Sequence, residues 1–300
     1  MTTVTAVGLA VLDLVFGVEN RPDRGRKVFA TSLTEVGGGP AANAAVTVAA
    51  LGGDARFAGR IGTDSIGDLI LDDFGRWGVD SSRVRRIPDV SSPISSVIVE
   101  ADGERTIVNY TDPRLHAPDD VVTAGDIDGS DTVLADLRWP TGGLSALRLA
   151  SKLGIPSVLD FDETPESGLT EALTLPTHVV FSAPALAAVS GTADPAGGLT
   201  RIADRTDAWL AVTLGARGTL WLDDGSTIHT PSYPIAAIDT LGAGDVYHGA
   251  FALGVAEGRP VSETVLRASA TAALKCTRFG GREGIPSRDE VDEFMKENPR

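Results

Sequence analysis

Asp239-Thr240-Leu241-Gly242-Ala243-Gly244-Asp245-Val246-Tyr247-His248-Gly249-Ala250-Phe251 follows a β-like segment and opens into an apolar, Ala-rich run with helical character. Strand, tight turn and helix in succession form the repeating joint of α/β proteins. Small residues at 242–244 let the backbone turn sharply and leave its N–H groups bare. The helix N-terminus adds a partial positive charge, so this turn suits an anion such as phosphate. The carboxylate of Asp245 has two readings on its own. It caps the helix, or it takes a proton from a substrate hydroxyl beside a bound phosphate.

Two upstream joints resemble it. Val212-Thr213-Leu214-Gly215-Ala216-Arg217-Gly218 ends a predicted strand in a turn able to receive phosphate. Glu35-Val36-Gly37-Gly38-Gly39-Pro40-Ala41-Ala42-Asn43 leads into an Ala-rich run that stops at Gly52. Pro40 near a first helical turn and glycine at the end mark a helix, and Asn43 carries both donor and acceptor there. A first predicted strand over 4–10 runs out at Gly8 toward Asp13, and a carboxylate past a core strand lies where α/β sheets bind ligands.

Strands predicted at 55–59, 132–136, 157–160, 178–182 and 209–213, separated by helical patterns, indicate a largely parallel sheet in a three-layer αβα core. Four short β pieces stand outside that alternation, at 15–18, 28–33, 94–99 and 105–110. The last two are joined by Asp102-Gly103, a hairpin signal. Together they predict a small β-sheet lid. The core is expected over 1–13, 37–90 and 113–300, with 14–36 and 91–112 forming the lid as an insertion rather than an independent domain.

Composition narrows the function. The chain has 300 residues, 42% of them hydrophobic, and a formal net charge of −15, which argues against general nucleic-acid or membrane-surface binding. Its single cysteine, Cys276, excludes an internal disulfide and reads as a buried, inert thiol. Met1-Thr2-Thr3-Val4 lacks the basic start and apolar core of a signal peptide, and a cytoplasmic protein is expected. Neither the phosphate-binding loop ending in Lys-Ser/Thr nor the dinucleotide glycine fingerprint is present. Two phosphate-receiving turns and a polar loop near Asp13, all at strand ends, point to phosphoryl transfer from a nucleotide to a small hydroxylated substrate.

These stretches resemble the signatures of the ribokinase-like, or PfkB, carbohydrate kinases, and the resemblance spans essentially the whole chain. It implies ATP, Mg²⁺ and a β-sheet lid, with a monovalent cation near Asp239 and 277–282 as a further element. It also implies Asp245 as general base and the N–H groups of Gly242, Ala243 and Gly244 as an anion hole. Asp13, Gly38, Gly39 and Asn43 resemble sugar-binding positions, and Thr213, Gly215 and Gly218 nucleotide contacts. One departure concerns the metal. The family's Asn-x-x-Glu motif is replaced by Ser182-Ala183-Pro184-Ala185, which leaves the metal ligands unassigned, with Asp162 and Glu163 as candidates.

Within the family, Thr34–Ala42, Ala135-Asp136-Leu137-Arg138-Trp139, Ala273–Arg278 and Gly280–Pro286 resemble the sulfofructose-kinase subgroup. That resemblance implies Lys27, Asn109 and Arg138 as a sulfonate-binding set, and 6-deoxy-6-sulfofructose as the sugar phosphorylated at its primary hydroxyl. One guanidinium, one ammonium and one amide match the three acceptor oxygens of a sulfonate. A phosphate would fit the same donors, so a 6-phosphofructokinase is the alternative, with fructokinase or ketodeoxygluconate kinase behind it. A homodimer paired through the lids is expected, because the β pieces have edges that need cover.

Overall fold

The computed structural model describes residues 1–100, 105–117, 122–162 and 168–300. Asp102-Gly103 and Glu163 lie outside the described residues. An eight-stranded sheet runs, in spatial order, Ser226–Thr230, Thr219–Asp223, Trp209–Thr213, His178–Ser182, Ser157–Phe161, Thr132–Asp136, Thr3–Val7 and Asp54–Ala58. From Trp209–Thr213 to Asp54–Ala58 every pairing is parallel, and the last two strands add an antiparallel hairpin that the sequence had not announced. The central strands are buried on both faces, which explains their unbroken apolar runs rather than alternation.

Helices Pro40–Ala50, Ala243–Ala256 and Val261–Cys276 pack together on one face. Pro140–Leu153, Ala183–Ser190 and Pro195–Ala203 cover the other, so the core has three layers. Among the described residues no helix is long and apolar enough to cross a membrane.

The chain leaves Thr3–Val7 toward one sheet edge, at Asp54–Ala58, and later returns on its other side at Thr132–Asp136. Strand order reverses between these neighbours, and the carboxyl ends of the strands flanking such a reversal form a crevice. Asp136 pins it. The buried carboxylate accepts the backbone N–H groups of Leu9 and Ala41 at 3.0 Å each, and that of Arg138 at 2.9 Å. One side chain thus ties the exit of the first strand to the start of the Pro40–Ala50 helix.

A second, four-stranded sheet has the order Ser32–Gly38, Val11–Gly17, Ile94–Val99, Arg105–Tyr110. It contains the expected lid strands with two corrections. The first lid strand begins at Val11, so Asp13 belongs to the small sheet rather than to a turn past a core strand. The next begins at Ser32, not at residue 28. Residues 18–31 carry Pro22, Gly25 and several charges, are almost entirely exposed, and take no place in the ladder. Gly37 and Gly38 end that strand, and Gly39 (φ 97°) turns the chain into the helix. A Cβ at Gly39 would stand 2.3 Å from the Leu9 carbonyl, so both its backbone angle and the crossing with residues 8–10 demand glycine.

Candidate active site

The Ala243–Ala256 helix is apolar nearly all round because it is wedged between two others; Val246 to Gly254 are buried. Its polar start is therefore the exception. Gly242 adopts a left-handed conformation (φ 71°) as N-cap and provides no side-chain cap. Asp245 lies in the first turn, not at the cap, so the capping role fails on geometry. The helix opens with the Val246 N–H donating to the Gly242 carbonyl at 2.9 Å, while the Ala243 N–H makes a long 3.3 Å contact to the Thr240 carbonyl. Gly244 is exposed at the mouth of the adjoining cleft.

Asp245 is held by Asn43, whose amide nitrogen donates to its Oδ2 at 2.6 Å. Burial pushes the carboxyl up to about 6 against the opposing pull of that hydrogen bond, and the charges of Asp162 and Asp136 push the same way. A carboxylate with such a value is ionised at neutral pH yet basic enough to take a proton, the property a general base needs. Asn43 is itself oriented, because its Oδ1 accepts the Nε–H of Arg282 at 2.8 Å. Arg282 is buried, pairs with Asp73 and donates to the Gly38 carbonyl at 3.1 Å. A chain of contacts thus runs from Asp73 through Arg282 and Asn43 to Asp245.

Asp13, Asn43, Gly242 and Arg282 line one small pocket together with Val36 and Gly37. Gly38 packs against Asp13, and a Cβ there would meet the Asp13 carboxylate at 2.2 Å. Burial raises the Asp13 carboxyl, partly offset by a hydrogen bond from Ser95 and the charge of Arg282. The expected sugar residues Asp13, Gly38 and Asn43 are therefore brought together, with Gly39 in the adjoining turn.

Across Thr240 lies a cavity of about 440 Å³, lined by Thr213, Gly215, Gly218, Ala243, Gly244 and Tyr247 among others. All three expected nucleotide residues are in its wall. A second cleft, of about 160 Å³, separates the lid from the turn; Thr34, Val36, Arg105, Thr240 and Leu241 line it.

The sulfonate set is not assembled. Asn109 sits on the lid, and the ladder places Asp13 opposite Ser95 and Ser95 opposite Asn109, one row on one face. The Asn109 amide donates to Ser95 Oγ at 3.0 Å. Arg138 lies past the Thr132–Asp136 strand, beside Pro40, and pairs with Asp162 at 3.0 Å. Lys27 is exposed within 18–31, off the lid strands, because the strand expected to carry it starts only at Ser32.

For the metal, Ser182 proves to be the N-cap of Ala183–Ser190, its hydroxyl accepting the Ala185 N–H at 3.3 Å. Among the described residues no three His, Cys, Asp or Glu side chains form a metal cage. Asp160, however, is buried with Oδ1 lacking a partner, and it lines a pocket with Asp136, Arg138 and Asp162. Burial and three neighbouring carboxylates hold its proton well above the usual range. Asp160 and Asp162 fit a divalent ion that keeps phosphate and water ligands, since a cation would relieve that repulsion.

A monovalent cation does not fit as expected. The buried Lys275 ammonium already donates to the Asp239 carbonyl at 3.0 Å and stands 3.2 Å from its carboxylate. Arg282, Arg105 and Lys275 are the functional candidates the sequence pattern did not single out. A lysine inside an Ala-rich helix, on the face shared with Thr271 and Ala268, was the available signal for the last.

The model of the pfkB family carbohydrate kinases matches residues 1–288. The chain belongs to that family. It is an ATP-dependent sugar phosphotransferase. The kinase is 28% identical to the ribokinase of Bacillus subtilis over 98% of this chain and the whole of that one. It is 29% identical to a fructokinase of Klebsiella pneumoniae, covering 97% of this chain and 99% of the other. Among solved structures, a ribokinase candidate from Agrobacterium tumefaciens superposes with a TM-score of 0.94 at 38% identity, over 99% and 98% of the two chains. Arabidopsis thaliana ribokinase, complexed with ribose and ATP, shares the fold at a TM-score of 0.85 and 24% identity, over 98% of each chain.

Proposed function

We propose that this kinase transfers the γ-phosphoryl group of ATP to the primary hydroxyl of 6-deoxy-6-sulfofructose, giving the 1-phosphate and ADP. The observation that carries the substrate is the lid row of Asp13, Ser95 and Asn109. The Asp13 carboxylate and the Asn109 amide share one face, two strands apart, which supports a carboxylate for a sugar hydroxyl with an amide for an anion beside it. In a chain of net charge −15, the half-exposed Arg138 guanidinium supplies positive charge beside the glycine loop. Lys27 would join from the 18–31 stretch when the sugar is bound.

In this reading Asp245 accepts the proton of the attacking hydroxyl as its oxygen bonds to the γ-phosphorus and the bond to the β-phosphate oxygen breaks. The N–H groups of Gly242, Ala243 and Gly244 receive the charge on the transferring group. Thr213, Gly215 and Gly218 hold the nucleotide. Asp160 and Asp162 would hold Mg²⁺, which supplies charge neutralisation of the phosphates. Positioning and electrostatics suffice, since phosphoryl transfer needs little covalent help.

A neutral sugar such as ribose or fructose is the second reading. The Arg138–Asp162 ion pair favours it, because that guanidinium already has a carboxylate partner, as do the names of the relatives. A coupled assay with ATP and Mg²⁺ comparing 6-deoxy-6-sulfofructose, fructose 6-phosphate, fructose and ribose decides. Preference for any of the last three would sink the sulfonate claim. Arg138→Ala should raise KM for the sulfonate by roughly 10–100-fold, the worth of a charged hydrogen bond, and leave KM for fructose nearly unchanged.

A homodimer through the lid is part of the same proposal. Leu33, Val108 and Tyr110 are exposed on the lid face opposite Asp13. Sedimentation should find a dimer that Val108→Asp weakens; a monomeric wild-type protein would overturn it.

A further inference from the structure

Lys275 has no polar surface to explain it. It stands in the last turn of the Val261–Cys276 helix, 0% exposed, with Leu274 and Cys276 beside it. An unpaired ammonium in such a place would be strongly unfavourable, so it requires partners. Its partners are two oxygens of one residue, the main-chain carbonyl of Asp239 at 3.0 Å and its Oδ2 at 3.2 Å. Asp239 is the first residue of the turn that ends in Asp245.

The same carboxylate gathers the loops around it. Its Oδ1 accepts the Leu241 N–H at 2.8 Å, and its Oδ2 accepts those of Gly280 and Gly281 at 3.3 and 3.2 Å. The Cys276 carbonyl accepts the N–H groups of Ile238 and Asp239 at 2.7 and 3.2 Å. From the lid side Arg105 donates to Thr240 Oγ1 at 2.7 Å, with its guanidinium 3.8 Å from Asp239 Oδ1. The Asp239 carboxylate is held below its usual range by these donors and by Lys275, against the effect of burial.

A cation between a carbonyl and a carboxylate can be a metal ion or an ammonium. Carbonyl oxygens replace the hydration shell of a potassium ion, and a lysine head offers three hydrogen-bond donors to the same kind of oxygens. Here the ammonium is covalently attached and already in place, so a diffusible ion would have to displace it from both oxygens.

We infer that Lys275 is the kinase's own cation for the anion-hole turn, fixing residues 239–242 and making phosphoryl transfer independent of monovalent ions. Lys275 is a positioning residue, since it acts through Asp239 and touches no reacting atom. The inference rests on the reading of Gly242–Gly244 as the anion hole. The helix to which Lys275 belongs ends there, so its charge also offsets the negative end of the helix dipole.

The test uses the full chain with ATP, Mg²⁺ and its best sugar, in buffer free of potassium, sodium and ammonium. Potassium chloride is titrated against tetramethylammonium chloride at constant ionic strength. The wild-type rate is expected to stay level. Lys275→Ala is expected to lose roughly 10²-fold in kcat, the scale of disturbing one anion-hole donor, with both KM values little changed. Potassium or methylammonium should restore much of that loss, which a general packing defect would not permit. Stimulation of the wild type by potassium overturns the inference, as does a Lys275→Ala enzyme with full kcat in cation-free buffer or an inactive one that no cation rescues. If Lys275→Ala fails to fold, the wild-type titration alone decides. Full activity of Asp245→Asn would instead defeat the reading of the turn on which the inference rests.

Discussion

Asp245→Asn should lower kcat by roughly 10²–10⁴-fold, the contribution of a positioned general base, with KM for ATP and sugar nearly unchanged. The amide keeps the shape and still contacts Asn43, which donates to the native carboxylate at 2.6 Å, but it cannot take a proton. The wild-type rate should also carry the carboxyl's signature. Burial pushes that group up to about 6, so kcat/KM should be level above that pH and fall as pH drops through it. A rate that is flat between pH 5 and 7 would remove Asp245 as the base.

The same shift predicts an effect of opposite sign on stability. A carboxyl whose folded value exceeds its unfolded value binds its proton more tightly in the native state. The fold is therefore penalised as pH rises from about 4 through about 6. Asp245→Asn should thus be more stable than the wild type above that window, by on the order of 2 kcal/mol given the residue's partial exposure, and no more stable below it. Chemical denaturation at about pH 4, where most of the difference should be gone, and at pH 8 measures it. The Asp245 carboxyl stands where it costs stability, and in the proposed mechanism the same burial is what serves the chemistry.

Arg282→Met should be the most damaging substitution outside the reacting groups. It takes the Gly38 carbonyl's donor away and leaves Asp73 with the longer 3.7 Å contact to the exposed Arg76, and breaking one side of a buried ion pair costs roughly 3–5 kcal/mol. Activity should fall beyond the loss of folded protein, because Asn43 is then free to turn its amide away from Asp245. Adding Asp73→Asn should recover part of the stability, since the buried charge is gone, and none of the lost kcat. Recovery of both together would mean that Arg282 serves only the fold.

Much of the architecture was legible because it is written in local terms. Buried parallel strands appear as unbroken apolar runs, the glycine turns as small residues before Ala-rich helices, and the lid as β pieces without helices between them. The errors fell where partners decide. Residues 28–31 have β-favouring side chains, yet the ladder with Val11–Gly17 begins only at Ser32, and Lys27 went with that misplaced strand. The hairpin Thr219–Asp223 and Ser226–Thr230 was missed for the same reason, since a strand added at a sheet edge is defined by its neighbour.

By itself the sequence determined the α/β class, the three glycine turns and the place of a carboxylate, Asp245, just inside the last of them, because backbone geometry depends on residue type at fixed spacing. Only the tertiary structure decided which charges those turns meet. Asn43 and Asp245 are 202 positions apart, Arg282 and Asn43 are 239, and Lys275 reaches Asp239 across 36. A lysine or arginine in the sequence has no sign of its surroundings. Its meaning comes from burial, which makes an unpaired charge costly and so requires a partner that folding must deliver.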